Sequence, residues 1–128
     1  MHDSLASLDW EQLESTVQLP AGWKADTDRP IPLKTCMNDL RHFTRYQYRT
    51  KALLAVTTTL PRLVRADERT VVYTKDVSRE GIGLYAAEQL FPCERMKIWL
   101  PGQELQRIRV VRCRKLGECC FEVGTRFE

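Results

Sequence analysis

The sequence predicts a mainly β fold, six antiparallel strands in a barrel or sandwich, preceded by an N-terminal helix and an extended linker. Three observations carry this. Helical periodicity is confined to residues 8–19; from residue 47 onward short β-like runs are separated by turn signals; and "PGQE" (101–104) and "LGE" (116–118) mark tight connections between such runs. The 128 residues, 43% hydrophobic and 29% charged, suit one globular domain with a modest core. We divide the chain into residues 1–35, a helix with a Pro-rich connector, and residues 36–128, the β domain.

Residues 8–19 read as a helix because Trp10, Leu13 and Val17 recur at i, i+3 and i+7, with Ser7 or Asp9 to cap its start and Pro20 and Gly22 to end it. Its apolar stripe fits docking on the same chain or on a partner. Pro20, Pro30 and Pro32 make residues 20–35 an extended connector, with Trp23 as its anchor on the body. The six strands are placed at 48–59, 69–75, 82–86, 94–100, 105–115 and 119–127. In "RIRVVRCR" the alternation of Ile108 and Val110 against Arg107, Arg109 and Val111 breaks down, and the faces cannot all be assigned.

Charge and cysteine content exclude several classes. A net charge of +3 is too mild to announce a nucleic-acid binder, though clustered arginines can still build an anion site. The N-terminus lacks a secretory layout, and no run approaches the roughly 18 apolar residues of a membrane helix. A cytoplasmic protein is expected, with no membrane association. Cys36, Cys93, Cys113, Cys119 and Cys120 contain no Cys-x-x-Cys pair, and only His2 and His42 are available to join them. Neither a disulfide framework nor a metal site follows; buried, reduced thiols do. No nucleophile-base pair, metal cluster or phosphate-cradling Gly loop is visible, so an enzyme is not expected and no cofactor is implied.

Two short motifs carry chemistry. In "LRHFTRYQYR" Arg41, Arg45 and Arg49 fall at four-residue intervals. A planar, permanently charged guanidinium clamps a phosphate or addresses the O6 and N7 edge of a guanine, although three spaced arginines also make an ordinary solvated face. In "DVSREG" Asp76 and Ser78 lie two residues apart and point to one side of an extended segment, with Gly81 supplying a φ > 0 position. Such residues close turns without any ligand. A carboxylate is equally the acceptor that the N1 and N2 donors of a guanine require, and a serine hydroxyl both donates and accepts.

Taken as an ordered pair, Arg-x-x-x-Arg ahead of the first strand and Asp-x-Ser-x-x-Gly further on, "RHFTR" and "DVSREG" resemble the signature of PilZ domains. The flanks agree: "GIGLYA" follows the glycine, "ERMKIWLPG" resembles the next strand, and "RIRVVRCRKLGECCFEVGTRF" looks like a closing hairpin. The resemblance covers residues 40–127. It implies a small six-stranded β-barrel, a non-enzymatic receptor for the bacterial second messenger cyclic di-GMP, and an unknown downstream protein partner.

By residue matching, Arg41 and Arg45 hold phosphates and a guanine edge, Asp76 and Ser78 bind a guanine, and Gly81 allows the turn. Arg45 and Arg49 form a rival pair, with Arg49 otherwise a strand-start contact. Leu40 stands where many relatives carry another arginine; lacking charge and a planar cation, it sets the expected stoichiometry at one ligand per domain. The helix that follows the last strand in many relatives is missing before Glu128, and the N-terminal helix is expected to take its covering role. Binding is expected to order residues 36–49. A PilZ-like adaptor that binds no nucleotide is the alternative function. A nucleic-acid-binding barrel, using Tyr46, Tyr48 and Tyr85 for stacking, is the third and least expected.

Overall fold

A computed structural model of the chain describes residues 14–24, 45–63, 65 and 69–128. Runs of β-branched and large apolar residues dominate the strands: β1 (Tyr46–Gln47), β2 (Lys51–Thr58), β3 (Arg69–Val77), β4 (Ile82–Ala86), β5 (Arg95–Trp99), β6 (Gln106–Gly117) and β7 (Cys120–Phe127). All pairings are antiparallel, in the order β1-β3-β2-β5-β6-β7-β4, and β4 pairs again with β3. That last pairing closes β2 to β7 into a six-stranded barrel, which leaves no long free edge among them. β1 is a two-residue addition on β3, opposite Val77 and Asp76.

The barrel interior is filled by one side of each strand. Leu54, Val72, Leu84, Ile98, Ile108 and Val123 are each fully buried, and each such side chain contributes about 1.5–3 kcal/mol of hydrophobic stabilisation. A smaller cluster, Leu53, Val71 and Trp99 with Ala55 and Leu105, occupies the alternate positions of β2, β3 and β5. Because successive side chains on a strand point to opposite faces, this cluster lies on the outside of the barrel.

The expected strand 48–59 starts later, at Lys51, and a separate short strand precedes it at Tyr46–Gln47. The Thr74 side chain, fully buried, enters the ladder: its Oγ1 accepts the Thr50 N–H at 2.9 Å and donates to the Tyr48 carbonyl. The side chain thus takes the place of a backbone partner at the Thr50 N–H and the Tyr48 carbonyl, while the Tyr48 N–H and the Thr50 carbonyl keep backbone bonds to Lys75 and Thr74, and β1 and β2 are separate elements. The uncertain faces of "RIRVVRCR" have a similar origin. Val110 pairs with Thr125 and Arg112 with Gly124, so Val111 is the extra residue of a β-bulge. Ile108 and Val110 point inward before it, while Val111 and Arg112 both face outward after it.

The N-terminal helix is not seen in its described part. Residues 14–20 carry no helix, and the remainder of the 8–19 prediction, like residues 25–35 of the connector, lies outside the described residues. Residues 14–24 instead run along the barrel. The Ser15 hydroxyl donates to the Val71 carbonyl at 2.9 Å and the Gln18 N–H to the Cys119 carbonyl at 2.9 Å. Such bonds to the barrel compete with the i→i−4 bonds of a helix, and a short segment ending at Pro20 has little helical stability to set against them. Trp23 is the anchor anticipated from the sequence: its indole N–H donates to the Thr74 carbonyl at 3.1 Å and its ring meets Tyr73 edge-on at 5.0 Å. No helix among the described residues is long and apolar enough to cross a membrane.

Candidate functional site

The turn between β3 and β4 is built from its own side chain. The Ser78 N–H donates to the Gly81 carbonyl at 2.8 Å, and Ser78 Oγ accepts the N–H groups of Glu80 at 3.2 Å and Gly81 at 3.4 Å. Two acceptor positions of the hydroxyl are thereby used and its O–H remains a donor. Gly81 is required for a reason other than the one its sequence suggested. Its φ is not in the left-handed region, whereas a Cβ there would lie 1.8 Å from the Thr125 carbonyl oxygen. The glycine allows backbone to approach backbone, and β7 holds the turn through a 2.7 Å bond from the Phe127 N–H to the Glu80 carbonyl.

Asp76 lies at the other end of the same turn. Val77 is buried in the core, so Asp76 and Ser78 on either side of it point away from the core together, Asp76 partly exposed and Ser78 buried within the turn. The Asp76 carboxylate rests on Gly83, where a Cβ would come within 2.5 Å of Oδ1. Arg45, at the start of the described arginine segment, donates from Nη1 to Asp76 Oδ1 at 3.0 Å. This one contact joins the two sequence motifs across 31 residues. The Arg45 side chain is 52% exposed, so the pair is worth about 0–1 kcal/mol and opens at little cost.

A bulge at Lys75 brings a further cation to this face. Thr74 pairs with Leu84 and Asp76 with Gly83, leaving Lys75 as the extra residue. Its Nζ lies 3.9 Å from Asp76 and 3.0 Å from Glu122, which Arg114 also meets at 2.9 Å. Partial burial alone would raise the Glu122 pKa; hydrogen bonds and charge from Lys75 and Arg114 outweigh it and hold the carboxyl below its ordinary value.

Between the turn and the bulged part of β6 is a cleft lined by Arg45, Ser78, Glu80, Val111, Arg112 and Arg126, with Gly81, Ile82, Gly124 and Thr125 forming the rest of its wall. The Arg112 side chain lies over Gly124, whose Cβ would come within 3.1 Å of it. Arg126 faces Glu80 at 3.8 Å. Sequence reading missed Arg112, Arg126, Gly83 and Gly124. The broken alternation in "RIRVVRCR" was the available signal for Arg112, since a bulge is what turns it outward. The cleft encloses ≈ 90 Å³, well below the few hundred Å³ of an enclosing ligand pocket. It suits a ligand laid across the surface.

Of the residues singled out beforehand, Arg45, Asp76, Ser78 and Gly81 converge here. The charge of Arg49 acts on Tyr85, whose pKa burial pushes up against the lowering influence of Lys75 and Arg49. Arg41 and Leu40 lie outside the described residues, as do Cys36, His2 and His42. The thiols are only partly as expected. Cys120 is buried and Cys113 and Cys119 half-buried, but Cys93 is exposed. Burial raises the thiol pKa of Cys113 and Cys120, which keeps them unreactive. Among the described residues no three His, Cys, Asp or Glu side chains group as metal ligands. Tyr48 is 1% exposed and Tyr85 8%, so neither offers a free ring for base stacking.

Residues 39–128 match the family model described as PilZ domain. It is a family of non-catalytic receptors that generally bind cyclic di-GMP. No curated protein and no solved structure matches the chain.

Proposed function

Since the chain belongs to the PilZ domain family, we propose that it is a non-enzymatic receptor for cyclic di-GMP, held by Arg41, Arg45, Asp76, Ser78 and Gly81. The observation that carries this reading is the 3.0 Å contact between Arg45 and Asp76 at the edge of an arginine-lined cleft. Each group has the chemistry of one part of the ligand. Asp76 accepts from the N1 and N2 donors of a guanine, Ser78 donates its remaining O–H, and Arg45, released from Asp76, turns to a phosphate or to the guanine O6 and N7 edge. Exchange of a weak exposed ion pair for charge-assisted bonds to the ligand is favourable.

The ligand lies across the cleft rather than within it, and the arginine segment, residues 36–49, closes over it. Arg49, beside Tyr85, serves as a strand-start contact. Residues 36–128 form the receptor domain, and residues 1–35 are the appended segment tied down at Trp23. The receptor acts in the bacterial cytoplasm, where ordering of the arginine segment alters the surface offered to a downstream protein.

Competition binding tests this function. Labelled cyclic di-GMP should be displaced by unlabelled cyclic di-GMP and not by equal concentrations of GTP or a single-stranded oligonucleotide; displacement by the oligonucleotide, or no binding at all, contradicts the proposal. Leu40 sets the stoichiometry. Titration should give one ligand per chain, and Leu40→Arg should move it toward two; two ligands on the parent chain would remove Leu40 from its role.

A further inference from the structure

The outer face of β5, β6 and β7 carries cations directly opposite one another. Arg95 pairs with Arg109, Arg109 with Arg126, and Lys97 with Arg107. A row of three arginines therefore crosses three strands, with a Lys–Arg pair on the neighbouring row. Met96 and Ile108, between these positions, belong to the core, which fixes all five cations on the outside. Like charges directly opposite one another destabilise a sheet. The protein itself neutralises them only in part. Arg95 meets Glu128 at 3.5 Å and Arg126 meets Glu80 at 3.8 Å, and among the described residues no carboxylate pairs with Lys97, Arg107 or Arg109. A cleft lined by Thr57, Thr58, Arg95, Met96, Lys97, Arg107 and Glu128, three cations to one carboxylate, adjoins this face.

We propose that this face docks an acidic helix of a partner protein. Strands are about 4.8 Å apart, and residues three or four apart on a helix are about 5–6 Å apart. An acidic helix crossing the strands thus sets one carboxylate near each arginine of the row. Guanidinium binds carboxylate bidentately, which gives the contact direction as well as charge. Nucleic acid fits less well, because single strands need stacking aromatics: Trp99, on the outer side of β5, is buried against Leu53 and Val71, and Tyr48 and Tyr85 are buried as well. A membrane surface also fits less well. Of the two exposed large apolar residues, Val111 lies two residues beyond Arg109 on β6 and Leu116 near the far end of that strand, and one neighbouring valine is too little apolar surface to anchor an inserting face.

The test uses the full chain and a labelled, alanine-rich helical peptide with glutamate at every fourth position, beside the same peptide with glutamine. Fluorescence anisotropy should show binding of the glutamate peptide that weakens with salt and no binding of the glutamine peptide. The charge reversal Arg107→Glu/Arg109→Glu should weaken binding at least tenfold, and Arg107→Gln/Arg109→Gln by an intermediate factor, with a thermal midpoint no lower than the parent's, since both changes relieve like-charge repulsion. Neither residue lines the cyclic di-GMP cleft, although Arg126, opposite Arg109, does; the Arg107→Gln/Arg109→Gln variant should therefore still titrate with one cyclic di-GMP per chain, separating this inference from the receptor function. Equal binding of the glutamate peptide by parent and charge-reversed chain overturns the proposal. So does tighter binding of the parent to duplex DNA or to phosphatidylserine vesicles. If the reversed chain does not fold, unaltered peptide binding by the neutral variant overturns it equally.

Discussion

Asp76 has one neighbour that costs it nothing and one that can leave. Gly83 gives the carboxylate a flat bed, and Arg45 holds it at 3.0 Å through a half-exposed ion pair. The two glycines near the motif consequently have different duties. At Gly83 an added Cβ meets the end of a side chain, Asp76 Oδ1 at 2.5 Å, which can swing aside. Gly83→Ala should therefore change stability by no more than about 1 kcal/mol while displacing the carboxylate and weakening cyclic di-GMP binding about tenfold, or about 1.4 kcal/mol. At Gly81 the added Cβ meets the Thr125 carbonyl at 1.8 Å, and backbone must move. Gly81→Ala should destabilise the domain by about 1–3 kcal/mol, read as a lower midpoint in chemical denaturation; a midpoint equal to the parent's would show that the close approach is not needed.

At the scale of elements, one end of the barrel is tied by a buried ion pair. Glu94, immediately before β5, is fully buried. Its carboxylate accepts the Thr59 hydroxyl at 2.7 Å, the Phe91 N–H at 2.8 Å and a two-pronged contact from Arg65, which also donates to the Gln89 carbonyl at 2.9 Å. The β2–β3 and β4–β5 connections are thereby joined. Burial alone would raise the Glu94 pKa; the bonds from Arg65, Thr59 and Phe91 prevail and hold it below its ordinary value of 4.5. Folding thus favours the ionised form, and its stabilisation is complete above that ordinary value and lost as the pH falls through the lowered one. Glu94→Gln should flatten this acid dependence and, by leaving Arg65 with only the exposed Glu88 at 3.5 Å as a charged partner, cost up to about 3 kcal/mol at neutral pH; an unchanged acid profile in denaturation would remove Glu94 as its source.

The elements also show what was legible beforehand. The 82–86 strand was read to its ends, because "IGLYA" is apolar throughout and bounded by a Ser-Gly turn. The two bulges were not, since a register shift depends on the partner strand rather than on local pattern. Residues 14–19 carried part of a helical stripe, yet hydrogen bonds to Val71 and Cys119 outweighed it. At the site, Arg45, Asp76, Ser78 and Gly81 were readable as motifs. Arg112 and Gly83 were not, because their relevance comes from what lies over or opposite them.

The whole molecule is a closed barrel with its chemistry gathered on the outside. Closure by the β3–β4 pairing places the "DVSREG" turn against β7 and beside the bulge of β6, so residues from three parts of the chain meet at one cleft. The arginine segment enters that cleft at Arg45, and the N-terminal segment is fastened at Trp23, on the carbonyl of Thr74 and so within two residues of Asp76. The proposed receptor function rests above all on Arg45 and Asp76 binding cyclic di-GMP together. Isothermal titration of the parent, Arg45→Ala and the Arg45→Ala/Asp76→Ala double variant tests it most directly. With each contact worth about 1–3 kcal/mol and about 1.4 kcal/mol to each factor of ten, the parent should bind one ligand per chain, the single variant about fivefold or more weakly and the double about thirtyfold or more weakly; a folded double variant that binds cyclic di-GMP as the parent does would contradict the assignment.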